Sequence, residues 1–401
     1  MTEGTGYPPR QTTERRDWWG VVAVMVGIFL LVTAEQLPIG LLSQVSTALE
    51  VSPGIAGLMI TVPGVVAAFS APLLPVAVGR LDRRWMLTVL MALMTLASAL
   101  GAMVDSFTLL LATRILVGVC IGGFWAIAGG LASRLVALPQ VPKAMAVIFS
   151  GVAGASVLGV PAGTWLGEQT NWRVAFAAMS AGSAVVTIAL WWLLPPLPAN
   201  QPVRLSNLFG QFSSRGVRVG VYATALIVVG HFAAYTFISP ILQQIAGVPL
   251  ANVSTLLLLY GGAGLMGNFI AGTAAGRNPW RTVLVIPMLL AVATLSFPWF
   301  AGPGIAGTLL LMLWGAVFGS ISVSLQTWIL RAAPNAEAAT ALMAFVFNIS
   351  IGIGAMAGGQ VVDGFGLSTV LYTSGMLFML AALVVLCTPA SAVAATNSGS
   401  R

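Results

Sequence analysis

The sequence predicts an all-α membrane protein of twelve transmembrane helices arranged as two pseudo-symmetric six-helix bundles. Three observations lead there. Of 401 residues, 58% are hydrophobic and only 7% are charged, with a mean hydropathy of +0.97, whereas a soluble domain carries about a quarter charged residues. Apolar runs of about 20 residues, the length that crosses a bilayer as a helix, recur twelve times. The longest polar interruption, "LPPLPANQPVRLSNLFGQFSSRGVR" from Leu194 to Arg218, falls after the sixth. No segment sustains the two-residue alternation of a β-barrel strand. The backbone must therefore satisfy its hydrogen bonds within helices.

Each run is bounded by charges or by residues that do not continue a helix. The first, 19–41, follows Arg15, Arg16 and Asp17, and the second, 54–79, follows Pro53 and stops at Arg80. Arg83 and Arg84 precede the third, 85–104; Asp105 separates it from the fourth, 107–133, which ends at Arg134. Pro142 opens the fifth, 142–167, and Glu168 closes it; the sixth, 173–194, runs from Arg173 to Pro195. In the second half, 218–245 starts at Arg218, 251–276 lies between Pro249 and Arg277, and 281–301 starts at Arg281. The tenth, 305–331, lies between Gly304 and Arg331, the eleventh, 337–361, follows Pro334 and Asn335, and the twelfth, 367–388, follows Gly366. The expected division is a tail 1–18, a bundle 19–194, a linker 195–217, a bundle 218–388 and a tail 389–401.

A net charge of +7 suggests nucleic acid until its distribution is followed. With helix ends assigned alternately to two sides, one side collects Arg10, Arg15, Arg16, Arg80, Arg83, Arg84, Arg134, Lys143, Arg204, Arg215, Arg218, Arg277, Arg281, Arg331 and Arg401, and the other only Arg173. This is the positive-inside pattern, so a cell inner (plasma) membrane protein with both termini cytoplasmic is expected, and no nucleic-acid partner. The first apolar run is too long for a cleavable signal peptide. Cys120 and Cys387 lie in apolar helices, which indicates packing and neither a disulfide nor a metal site.

The halves echo one another. Gly151, Ala155, Gly159, Gly163 and Gly167 recur every four residues in the fifth helix, as Ser350, Gly354 and Gly358 do in the eleventh. Gly118, Gly122, Ala126 and Gly130 in the fourth helix correspond to Gly315 and Gly319 in the tenth. Small residues at this spacing let helix backbones approach closely. Facing repeats around a central site are the architecture of alternating-access transporters.

Several stretches resemble one family. "LLLATRILVGVCIGGFWAIAGGLASRLV", with Arg114 ahead of its glycine row, is similar to motif B of the major facilitator superfamily, and "SGVAGASVLGVPAGTWLGEQTNWR", with Gly159, Pro161 and Gly163, to motif C of its antiporters. "TAEQLPIGLL" and "GHFAAYTFISPIL" resemble the first and seventh helices of the drug–proton antiporter branch. Within that branch, "GGFWAIAGGLASRLV" and "VPKAMAVIF" resemble the purine ribonucleoside efflux pumps. The resemblance implies the major facilitator fold and proton-coupled efflux, of a nucleoside or, in the same superfamily, of drugs or sugars. "GRLDRRW" keeps Gly79, Asp82, Arg83 and Arg84 of the family's gating motif A but shortens its spacing and lacks its later glycine. Asp82 and Arg83 are therefore candidate conformational residues, with a solvated positive-inside loop as the alternative.

Only three ionisable side chains lie well inside the membrane by the helix count: Glu35, Arg114 and His231. A lone charge at a helix centre costs about 2.5–3.5 kcal/mol on insertion scales. At a rise of about 1.5 Å per residue, Glu35 and Arg114 reach similar depths and can meet. A carboxyl balanced between desolvation and a neighbouring arginine is poised to exchange protons; a permanent buried bridge is the alternative. Pro38 lacks an N–H and leaves the carbonyl of Ala34 without its helical partner. His231, with Tyr235 one turn on, suits a proton relay, a substrate contact or hydrogen-bonded packing.

Candidate substrate contacts are the polar Gln36, Asn268 and Asn348 and the aromatic Phe124, Trp125, Phe232 and Tyr235, a mixture that suits a flat, uncharged, hydrogen-bonding ligand. A single histidine, no G-x-S-x-G elbow and no second intramembrane acid argue against an enzyme, and no G-x-x-x-x-G-K run supports an ATP-driven pump. No cofactor is implied. The expectation is a monomeric exporter of a small molecule in exchange for protons, in contact with membrane lipids; an importer, uniporter or channel stays open.

Overall fold

The computed structural model describes residues 13–79, 81–198, 214–302, 305–333 and 336–389. Arg10, Arg80, Arg204, Arg401 and most of the expected linker and tails lie outside the described residues. Among the described residues, twelve helices are long and apolar enough to cross a membrane: α1 Arg15–Ala48, α2 Pro53–Leu74, α3 Arg83–Met103, α4 Phe107–Ala128, α5 Leu138–Gln169, α6 Trp172–Leu193, α7 Arg215–Tyr235, α8 Leu250–Arg277, α9 Pro279–Phe300, α10 Ile305–Ala332, α11 Ala339–Phe365 and α12 Leu367–Leu386. They are the twelve that the sequence predicts, in the same order.

The differences are local. The first helix starts inside the expected tail, where Asp17 accepts the Glu14 N–H at 2.9 Å and ties its first turn, and it runs through Pro38 to Ala48. α7 stops at Tyr235 and resumes as Ile238–Gln244, instead of continuing over 218–245. Pro240 has no N–H for the carbonyl of Thr236, which breaks the ladder there. In α5 the residues Ala155–Gly159 form a π-helical turn, because Pro161 cannot bond back to Val157. α10 breaks between Gly319 and Ile321.

The glycine rows do the same job in both halves. A methyl group at Gly159 would overlap Thr33 of α1 and one at Gly163 would lie 2.5 Å from Leu37, while Gly354 and Gly358 of α11 sit against the backbone of Val229 and Ala233 in α7. Gly118 and Gly122 of α4 lie against Pro63 and Ala67 of α2; Gly315 and Gly319 of α10 lie against Tyr260 and Gly264 of α8. So α5 is to α1, and α4 to α2, as α11 is to α7 and α10 to α8. Across the seam between halves, α2 touches α11 at Gly64 and Gly352, and α8 touches the π-helical turn of α5 at Gly261 and Ser156.

Candidate functional site

Pro38 frees the carbonyl of Ala34, and Arg114 takes it. From α4, the Arg114 guanidinium donates to Ala34 O at 3.0 Å, to Glu35 O at 3.3 Å and, through Nε, to Met59 O of α2 at 3.0 Å. It is 2% exposed. The arginine thus staples the part of α1 ahead of Pro38 to α2 through main-chain oxygens. The Glu35 side chain is itself buried, and its Oε1 has no hydrogen-bond partner among the described residues. The expected meeting of Glu35 and Arg114 occurs, yet it runs through the glutamate's backbone.

The pairing of halves places His231 opposite Glu35 in position. Glu35 is two residues before Leu37, which faces Gly163; His231 is two residues before Ala233, which faces Gly358. Four residues before Gly118 stands Arg114; four before Gly315 stands the buried Leu311. One half therefore holds an acid with a guanidinium at these positions, and the other an imidazole with an apolar neighbour.

His231 is fully buried. Trp314 of α10 donates its indole N–H to His231 Nδ1 at 3.1 Å. Accepting at Nδ1 puts the ring proton on Nε2, and Nε2 has no partner. The ring stacks on Phe318 at 3.5 Å and 9°, and on Tyr235 at 4.8 Å and 28°. Tyr235 stacks in turn on Tyr260 at 4.7 Å, and the Tyr260 hydroxyl is buried without a partner. Phe232 joins edge-on at 5.0 Å from His231.

The remaining expected residues scatter. Phe124 is a core residue against Gly27 of α1, and Trp125 is half-buried and stacks on Phe149 of α5 at 6.0 Å. Gln36 and Asn268 are half-buried; Asn348 is buried and its amide donates to Ala344 O at 2.9 Å in its own helix. Asp82 caps α3 by accepting Arg84 N–H at 2.8 Å and also accepts Leu197 N–H at 2.8 Å. Arg83 is buried and donates to Gly79 O at 3.5 Å. Together these bonds tie the start of α3 to the segment that follows α6.

Two carboxylates outside the expected site join the halves. Glu168, at the end of α5, accepts the N–H of Ser254 at 2.9 Å and its hydroxyl at 2.6 Å, at the start of α8. Asp363, at the end of α11, accepts the N–H of Gly54 at 2.9 Å and the hydroxyl of Ser52 at 2.5 Å, at the start of α2. Gly54 is the second residue of α2, and Ser254 the second residue of the α-helical part of α8, Val253–Arg277, after its opening turn Leu250–Asn252; N–H groups and the helix dipole near a helix start favour an anion. Beside them Gln243 donates to Ser43 Oγ at 2.9 Å. These latches close the end of the molecule that carries Glu50, Asp105, Glu168 and Asp363. A signal for them existed: both carboxylates follow a row glycine, Gly163 or Gly358, by five residues.

Twelve membrane-length helices in two like halves, close-packed through matching glycines around ionisable groups buried at matching positions, define a secondary transporter. The chain belongs to the major facilitator superfamily, whose sequence pattern matches residues 24–354. It is 33% identical over 372 residues to the purine ribonucleoside efflux pump NepI of Salmonella enteritidis PT4, spanning 92% of this chain and 94% of that protein. It is 32% identical over 380 residues, 94% of each chain, to a Pseudomonas aeruginosa protein named transcription regulatory protein OpdE. A mutant of the nucleoside transporter NupG shares the fold at a TM-score of 0.75 and 13% identity, over 92% of this chain and 99% of that one. A bacterial homologue of the human lysosomal transporter Spinster, inward-facing and unoccupied, shares it at a TM-score of 0.74 and 14% identity, over 95% of this chain and 98% of that one.

Proposed function

We propose that the protein is a proton-coupled antiporter that exports a small neutral metabolite, a purine ribonucleoside or a close chemical relative, across the inner membrane by alternating access. The Glu35 carboxyl carries this reading: it is buried within a membrane helix, Oε1 has no partner, and the adjacent guanidinium is committed to main-chain oxygens. A carboxyl so placed can exchange its proton when water or substrate reaches it, which links proton release to a change of state. The substrate class follows the efflux pump of S. enteritidis, and the stacked aromatic faces around His231 suit a flat base.

The test is transport into sealed inverted vesicles with an imposed pH gradient and a panel of nucleosides, sugars and cationic dyes. Purine ribonucleosides should accumulate only with the gradient. Accumulation of dyes or sugars, with nucleosides ignored, overturns the substrate class.

In this reading the basic end faces the cytoplasm, and the latches close the outer end. Cysteine labelling from outside should then reach positions near Glu50, Asp105, Glu168 and Asp363 and spare those near Arg83 and Arg215; the reverse pattern inverts the topology. A Glu168→Gln, Asp363→Asn double variant should favour the outward-open state. A hydrogen bond to a charged group contributes about 1.5–3 kcal/mol, so a cysteine at the fully buried Ser239 of the seam should label at least about tenfold faster in the double variant. An unchanged rate would mean that the latches do not hold the closed state.

A further inference from the structure

We infer that Phe318 occupies the slot of a planar substrate ring, and that a purine base displaces it to stack on His231 and bond to the two buried donors beside it. This deepens the reading of the protein as a nucleoside exporter and rests on it.

Two observations carry the inference independently. The first is unmet hydrogen bonding. Among the described residues, His231 Nε2–H and the Tyr260 hydroxyl are both buried without partners in one aromatic stack. Leaving such a group unpaired costs about 1–3 kcal/mol, so two together in one site need a compensating partner at some stage of the cycle. Both can donate, and the edge of a purine base offers several nitrogen and carbonyl acceptors. The Trp314 bond fixes the tautomer that makes His231 a donor there.

The second is the position of Phe318. Its ring lies face to face on the imidazole at 3.5 Å and 9°, the spacing of a stacked base, and it is stacked more loosely on Tyr235 at 6.3 Å and Tyr260 at 6.5 Å. Unlike His231, Tyr235 and Tyr260, it is only half-buried. It is the penultimate residue of Ile305–Gly319, directly before the break in α10. The break gives this ring a backbone that can turn without moving His231 or Tyr260, which sit inside continuous helical stretches. The pseudo-symmetric position in the first half, one residue before Gly122 as Phe318 is one before Gly319, is the fully buried Ile121 in an unbroken helix, so the arrangement belongs to the second half alone.

The test is equilibrium binding of purine ribonucleosides and of methyl riboside, which lacks the base, to the full-length protein in lipid nanodiscs without any gradient. Phe318→Ala should bind the nucleoside about fivefold more tightly, the scale of one aromatic pair that no longer has to be broken. Tyr260→Phe and His231→Gln should each weaken it about fivefold, the scale of one neutral hydrogen bond. None of the three should change methyl riboside binding. If Phe318→Ala inserts poorly, Phe318→Leu carries the same expectation. Nucleoside binding that is unchanged or weaker in the Phe318 variant, or a matching change with methyl riboside, overturns the inference and leaves the exporter reading standing. A wild-type protein that binds no purine ribonucleoside overturns both.

Discussion

Glu35→Gln should abolish uphill export and leave exchange of substrate down its own gradient intact. Glutamine has the shape of the protonated carboxyl and cannot release a proton. The variant should also keep the fold, because α1 is held to α2 and α4 by main-chain bonds from Arg114 and the Glu35 side chain contributes no hydrogen bond through Oε1. Arg114→Ala is the contrasting case: it leaves the carbonyls of Ala34, Glu35 and Met59 without this donor, so it should lower the amount of inserted protein as well as coupling. For a neutral substrate each exchanged proton moves one net charge, and 100 mV then contributes about 2.3 kcal/mol per charge. Wild-type export should respond to voltage at zero pH gradient, and the glutamine variant should not. Gradient-driven accumulation by a properly inserted Glu35→Gln protein would leave Glu35 without a coupling role.

Gly159→Leu and Gly163→Leu should abolish transport in protein that still inserts. At Gly159 the first added carbon already overlaps Thr33, whose hydroxyl is held by Phe29 O at 2.7 Å and cannot swing aside freely. At Gly163 it would lie 2.5 Å from Leu37, two residues from Glu35. Overpacking of this kind costs about 1–3 kcal/mol, and here the strain enters the π-helical turn that also touches α8 across the seam. Transport should fall by more than about tenfold, since 1.4 kcal/mol is a factor of ten in any equilibrium between states. Gly276→Ala is the control, because nothing lies within 4 Å of the added carbon. Normal transport in both leucine variants would show that the close approach of α1 and α5 is dispensable.

The helices, their order and the glycine rows were legible because lipid imposes composition and length on any spanning segment, and backbone contact imposes small residues at fixed spacing. Pro38 even announced the free carbonyl of Ala34. What took that carbonyl was not legible: spacing placed Arg114 at the right depth and could not tell a carboxylate partner from a carbonyl one. Tyr260, Trp314 and Phe318 were missed for a related reason. An aromatic ring in a membrane helix reads the same whether it faces lipid or a histidine, and only the rotation of α8 and α10 about their axes decides. Phe124 and Trp125, adjacent in sequence, are both expected at the substrate, and the helix turns one into the core and the other toward Phe149.

The correspondence of Glu35 with His231 has a consequence for how such a machine divides its work. A carrier assembled from two identical subunits would place the same residue at both positions, so an acid that serves coupling in one would stand in the other as well, and two protons would be bound where one suffices. Joining the copies in one polypeptide removes that obligation. Here one copy has a carboxyl at this position and the other an imidazole among aromatic rings. Mutations in either copy then arise independently, so that, on the reading proposed above, selection can retune the ligand contacts of the second half without touching the proton site of the first.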